Sequence, residues 1–229
     1  TSCGLRSISA PVDVLNYVML EVGQPLHAFD ADLVMGGINV RLAQKGEAIT
    51  TIDGGDFKLN STDLVIVDDR GLLAIAGIKG GKRAEITIKT KKIIIESANF
   101  EPVGIYNTSK SINLTTDASS RFSHGLSPVL AEVGMKRATE LLKEICGAKI
   151  GELTDVNYKR PLKIVLNFDI EKFNETTGLN FKEREALTYL KEAGFKVRGK
   201  SVEAPQFRND ISIHEDLTEE IVNRIRNKE

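Results

Sequence analysis

The apolar residues of this 229-residue chain change their spacing three times, and that switching constrains the fold more than any single motif does. Over residues 9–22, Val12, Leu15, Met19 and Val22 recur at three and four, the period of a helix face. Pro11 and Asp13 suit a first turn, and Gly23 with Pro25 signals a stop, which leaves His27 in a turn, GQPLHAFD. From 38 to about 100 the period drops to two, in INVRLA, in ITTI and FKL around Asp53-Gly54-Gly55, and in LVIV and LAIAG around Asp68 to Gly71. These segments predict hairpins, closed by a strand KKIIIESANF on which Ile94, Glu96, Ala98 and Phe100 share a face.

Helical spacing returns over 127–147, where Ser127 can cap, Pro128 fits the first turn and Leu130, Val133, Leu141, Leu142 and Ile145 keep the period up to Gly147. The pattern then starts afresh beyond a polar stretch, with a boundary expected at 158–161: a strand at LKIVLNF, a helix from about 169, a second at KEREALTYLKEAG, strands FKVRG and SVEAP, and a helix near 215–226. Asn180 and Glu183 have the spacing of a capping box for the second helix, and Gly194 is its stop. The expected class is α+β (mixed α/β): a mostly antiparallel or mixed sheet with flanking helices, followed by a small α/β module.

Charge and composition remove several functions. With 31 Lys and Arg against 32 Asp and Glu there is no global cationic field to coat nucleic acid, so any tRNA or DNA contact must be local. No apolar run approaches the roughly 20 residues of a membrane span, and no secretory signal is visible, which gives a cytoplasmic expectation and no membrane partner. The missing initiator Met leads us to expect a fragment. Two distant cysteines, Cys3 and Cys146, and three histidines, His27, His124 and His214, lack metal-ligand spacing, so no metal site is expected. HEDLT at 214–218 has Thr218 where a zincin helix needs its second His.

Other apparent motifs fail on chemistry. In AGIKGGKR the glycine spacing is one residue short of a phosphate loop, Arg83 replaces the hydroxyl residue, and the following segment reads as strand; its paired glycines suit a tight turn or a close backbone approach. TDASSRFSHG has the residue types of a hydrolytic triad, but loops of this composition usually satisfy their own backbone. His27 alone is better explained as a loop histidine bonding a carbonyl than as a ligand. Glu96 is more unusual, because a carboxylate on an apolar face must reach an edge or face a polar cavity. The charged face Lys136, Arg137, Glu140, Lys143, Glu144 reads as a solvated helix surface.

Four segments, VDVLNYVMLEVGQPLHAFD, DLVIVDDRGLLAIAGIKGG, IIIESANF and LTTDASSRF, together with the later APQFRNDISIHEDLTEEI, resemble in order and separation the beta subunits of bacterial phenylalanyl-tRNA synthetases. The resemblance implies a tRNA-editing domain at 1–157 and a small α/β, winged-helix-like and DNA-binding-like module at 160–229. It implies an (αβ)2 ligase as the complete enzyme, with an alpha subunit, a second beta subunit and tRNA(Phe) as partners. ATP and Mg2+ are implied as its cofactors; none is expected in this fragment, which holds no synthetic site.

Matched position by position, the resemblance implies an editing pocket of Arg6, Asn16, His27, Gly80, Gly81, Glu96, Thr116 and Ala118, which hydrolyses tyrosine mischarged on tRNA(Phe). A carboxylate at Glu96 can accept a hydrogen bond from the phenol that phenylalanine cannot offer. His27, Asn16 and Thr116 would position the ester and water, with backbone N–H groups near Gly81 for the oxyanion and no residue assigned as general base. The sequence departs from the family pattern at Leu15, at Ser123 and His124, and in NRIRNKE at the end. These departures keep a second expectation open, a non-catalytic tRNA-binding or subunit scaffold with a vestigial pocket. The lysines and arginine of the second module, from Lys182 to Lys200, read as solvated.

Overall fold

A computed structural model describes residues 4–157 and 163–226; Cys3 and the boundary expected at 158–161 lie outside the described residues. The chain divides into two compact units, Thr1–Val156 and Asn157–Glu229. No helix among the described residues is long and apolar enough to cross a membrane.

In the first unit, helix α1 (Ala10–Val22) ends on Gly23, whose φ of 80° places it in the left-handed region that glycine adopts without penalty. Four residues on, β1 (His27–Asp30) begins, so His27 opens a strand rather than sitting in a turn. Then follow β2 (Asn39–Leu42), the short hairpin β3 (Ala48–Thr50) and β4 (Asp56–Lys58), β5 (Leu64–Asp68), β6 (Gly71–Ile75) and β7 (Lys79–Gly80). Strands β2, β5, β6 and β7 form one antiparallel sheet in that order. Its apolar face carries the main core, around Phe29, Ile66, Leu73, Ile75, Ile105 and Phe122. Residues Lys82–Ala84 form a 3-10 turn, and the segment following Arg83, expected as strand, shows none before Ile93.

Strand β8 (Ile93–Glu96) stops at Glu96, short of the expected Phe100, and pairs antiparallel with β1 as a separate two-stranded ladder. Two helices were not foreseen, α2 (Pro102–Ser111) and α3 (Asp117–Ser123). The first starts because the Glu101 carboxylate accepts from Val103 N and Gly104 N; the second starts on a capping box between Thr116 and Ser119. LTTDASSRF is therefore a helix start, not a loop.

Helix α4 (Val129–Cys146) buries Ala138, Leu141 and Leu142 against Val14, Leu15 and Val18 of α1, and its buried Gly134 lies close to the Gln24 side chain. Its N-cap position is Pro128, not Ser127, and the expected core residues Val133 and Ile145 are exposed, because the buried stripe runs through Gly134, Ala138, Leu141 and Leu142. Arg137 donates twice to the Glu21 carboxylate on α1, at 2.7 and 3.0 Å, so that residue joins two helices and is not simply solvated.

The second unit has a three-stranded antiparallel sheet, β9 (Val165–Asn167), β10 (Lys196–Arg198) and β11 (Ser201–Glu203), in the order β10-β11-β9. Helices α5 (Ile170–Thr177), α6 (Glu183–Glu192) and α7 (His214–Arg226) cover a core built on Phe168, Phe173, Leu190, Ile211 and Leu217. The N-cap of α6 is Lys182, with no side-chain cap; instead of an Asn180 box, the Asn174 amide holds the preceding turn through both polar atoms of Phe181's backbone. His214 stacks on Phe168 with 5.4 Å between ring centroids and its Nε2 lies 3.1 Å from Asp169 O, so HEDLT is a structural element.

Candidate functional site

The β1–β8 ladder places His27 directly opposite Glu96, followed by Ala28 opposite Ile95 and Phe29 opposite Ile94. Two polar residues singled out for different reasons thus face one another as cross-strand neighbours, within side-chain reach. Both line a cleft of about 70 Å³, whose walls also carry Ile75, Ile78, Lys79, Gly80, Ala118 and Phe122. Most of the lining residues are apolar, with a few convergent polar groups among them, the usual composition of a binding site.

The electrostatics follow from burial. No hydrogen bond or ion pair reaches the Glu96 carboxyl among the described residues, and desolvation raises its pKa to about 7. Burial also lowers His27, to about 4, with the positive field of Lys79 adding to the effect. At neutral pH the imidazole is therefore uncharged and the carboxyl is poised between its two forms. The His27 ring meets Phe29 edge-on, 4.7 Å between centroids.

The glycine pair acts by close approach. A Cβ on Gly80 would lie 2.5–2.6 Å from the His27 ring, and one on Gly81 would lie 2.7 Å from Leu73 O. Only glycine at 80 leaves room for the imidazole. Gly81 sits behind the lining, bridged to Thr51, and its N–H is taken by Leu73 O at 2.7 Å. That amide is spent in the sheet and is not aimed into the cleft as an oxyanion donor. Thr116 lies at the start of α3, where its Oγ1 donates to Ile78 O at 2.9 Å and accepts from Ser119 N at 3.0 Å. It fixes the wall segment beside Ala118 rather than offering a free hydroxyl.

The structure brings His27, Gly80, Glu96 and Ala118 together, with Thr116 bracing them. Asn16, half-buried on α1, and the exposed Arg6 are not among the lining residues. Leu15 is buried in the α1–α4 core, which gives its aliphatic side chain a packing role. The imagined triad dissolves: Asp117 pairs with Arg121, Ser119 closes the capping box, Ser123 Oγ donates to Ser119 O and His124 Nδ1 lies 2.6 Å from Ser120 O. Lys79 was missed; the available signal was a lone cation between Ile78 and Gly80 in an apolar, glycine-rich strand.

Against this geometry, the model of the B3/4 domain family matches residues 1–147, well over half the chain. The chain belongs to the B3/4 domain family. Residues 166–225 match the tRNA synthetase B5 domain. The chain is 39% identical over 225 residues to a phenylalanine--tRNA ligase beta subunit of Pectobacterium atrosepticum and 40% identical over 225 residues to that of Yersinia pestis, covering 96% of this chain in each case. It spans 28% of the length of these relatives. The resemblance seen in the four segments is confirmed on this scale. A crystal structure of an N-terminal fragment of the phenylalanyl-tRNA synthetase beta subunit from Pyrococcus horikoshii is similar at TM-score 0.44 and 14% identity, over 93% of this chain and 64% of that one.

Proposed function

We propose that the first unit is a hydrolytic editing module of a phenylalanine--tRNA ligase beta subunit, which clears tyrosine from mischarged tRNA(Phe). The observation that carries the proposal is the unpartnered Glu96 carboxyl, held opposite His27 in an apolar cleft. A phenol entering the cleft supplies the hydrogen-bond partner this carboxyl lacks, and phenylalanine leaves it unpaired, which separates the two side chains by orders of magnitude. The neutral imidazole of His27 can accept or donate one hydrogen bond at the ester end of the same ligand. No general base is assigned; positioning of the ester and of water is the contribution these residues make.

On this proposal the complete assembly is the (αβ)2 ligase with its alpha subunit, which charges tRNA using ATP and Mg2+ outside this chain. The position of Arg6 and Asn16 away from the lining favours a second function, a scaffold with a vestigial pocket. Deacylation of tyrosyl-tRNA(Phe) by the assembly separates the two. Glu96→Ala is expected to slow it by about a hundredfold or more, with aminoacylation unchanged; deacylation at the unaltered rate would establish the scaffold function.

A further inference from the structure

We propose that Lys79 is the anchor for a phosphate of the nucleic acid whose aminoacyl end occupies the cleft. This inference rests on the editing function above and assigns the end of the cleft remote from Glu96.

The polar groups of the cleft lie in order. Glu96 faces His27 across the β1–β8 ladder. On its other side the His27 ring packs directly on Gly80, the neighbour of Lys79 on β7, and it feels the Lys79 charge. The imidazole therefore stands between a carboxyl at one end and an ammonium at the other, and Lys79 is the only Lys or Arg among the described lining residues. An aminoacyl ester of a nucleotide has the same polarity along its length: a side chain, then the ester, then a ribose bearing a phosphodiester. With the phenol on Glu96 and the ester beside His27, the ammonium falls on the phosphate side.

The present partner of Lys79 is a weak competitor. Nζ lies 3.1 Å from Asp53 Oδ2, and the Asp53 side chain is 51% exposed against 24% for Lys79. Such a half-solvated pair contributes little, so exchanging the carboxylate for a phosphate costs little. Nor is the pair needed to hold the hairpin tip that bears Asp53. Ile52 N donates to Gly80 O at 3.0 Å, Thr51 bridges to Gly81, and Thr51 Oγ1 bonds both Asp53 and Gly55 O. A lysine is suited to phosphate as a flexible point charge.

The test uses 3′-tyrosylamino-3′-deoxyadenosine, which cannot be hydrolysed, with and without a 5′-phosphate, titrated calorimetrically into the 229-residue chain. The phosphorylated compound is expected to bind about tenfold more tightly, in line with one charge-assisted contact. Lys79→Met should abolish that difference, whatever it does to the affinity for the unphosphorylated compound. Asp53→Asn, which frees the ammonium, should widen the difference, an outcome that misfolding cannot produce. Equal binding of the two compounds, or a phosphate gain that survives in Lys79→Met, overturns the Lys79 assignment and leaves the editing function standing. Failure of both compounds to bind overturns the two together.

Discussion

Two carboxylates in the first unit, Asp68 buried and Glu96 half-buried, occupy comparable places and meet opposite fates. Asp68 ends β5, Glu96 ends β8, and burial opposes ionisation of both. At Asp68 that penalty is overcome: Arg83 donates at 3.0 Å through Nη1 and at 2.5 Å through Nη2, the backbone N–H groups of Met35 and Arg70 add 2.8 and 2.9 Å bonds, and the pKa falls to about 2. At Glu96 nothing offsets it, and the pKa stands at about 7. The first arrangement is a staple for the β5–β6 turn. The second is an acceptor without a protein partner among the described residues, and the contrast shows why satisfaction by the protein, more than burial, separates structural acids from candidate binding acids.

The comparison breaks most visibly if the staple is removed. Arg83→Met leaves Asp68 buried with a charge and no cation, and is expected to cost about 3 kcal/mol in denaturant unfolding. The pKa of Asp68 should rise in the same variant, measurable by carbon-detected NMR titration. An unchanged midpoint would mean that the backbone N–H groups suffice alone.

Removing the other acid should do the reverse. Since the folded-state pKa of Glu96 is raised from 4.5 to about 7, the native chain holds more protons than the unfolded chain between these values, and stability falls as pH climbs from 4.5 through 7. Glu96→Gln abolishes this cost, so its stability advantage over the native sequence should grow across that window and level off above 7, at on the order of 3 kcal/mol. His27 works with the other sign. Its pKa is lowered from 6.5 to about 4, and its contribution is complete above 6.5 and lost as pH falls through 4. The two slopes oppose each other between 4.5 and 6.5 in the native sequence, and Glu96→Gln should expose the histidine slope alone. A parallel pair of stability curves would contradict this account.

The smallest expected change sharpens the comparison geometrically. Gly80→Ala drives a methyl group into the space of the His27 ring, at about 1–2 kcal/mol for the overpacking. Tilting the imidazole out of the cleft should bring its pKa back toward the ordinary value, which a proton NMR titration would register. No movement of that pKa would show that the ring has room the structure does not show.

How much of this was legible in the sequence depended on whether the signal was local. The hairpins β3–β4 and β5–β6 carry alternating residues on either side of short polar turns, and both form where expected. Helices α1 and α4 also form there, yet the buried face of α4 runs through Gly134 and Ala138, which apolar counting passes over. Helix α2, PVGIYNTSKS, has no apolar stripe to betray it and relies on the Glu101 cap. Strand β1 could not be read at all from HAFD, because its partner is β8. The site showed the same division. Glu96 stood out as a polar residue on an apolar face, whereas the meaning of His27 and Lys79 became visible only once the ladder and the glycine segment were brought together.

That ladder has a consequence for how the site comes into being. The Gln24 amide spans it at its open end, donating to Pro25 O at 3.0 Å and to Ala98 O at 2.8 Å, a contact made across 74 positions of sequence. Closing so long an interval costs chain entropy that no local hydrogen bond returns, so the ladder gains stability only when the sheet between its strands is already in place. During synthesis, a chain released with β1 but without β8 carries the histidine and no carboxyl, and has no cleft. The pocket thus joins strands far apart in sequence, and its ligand binding reports on the pairing of β1 with β8.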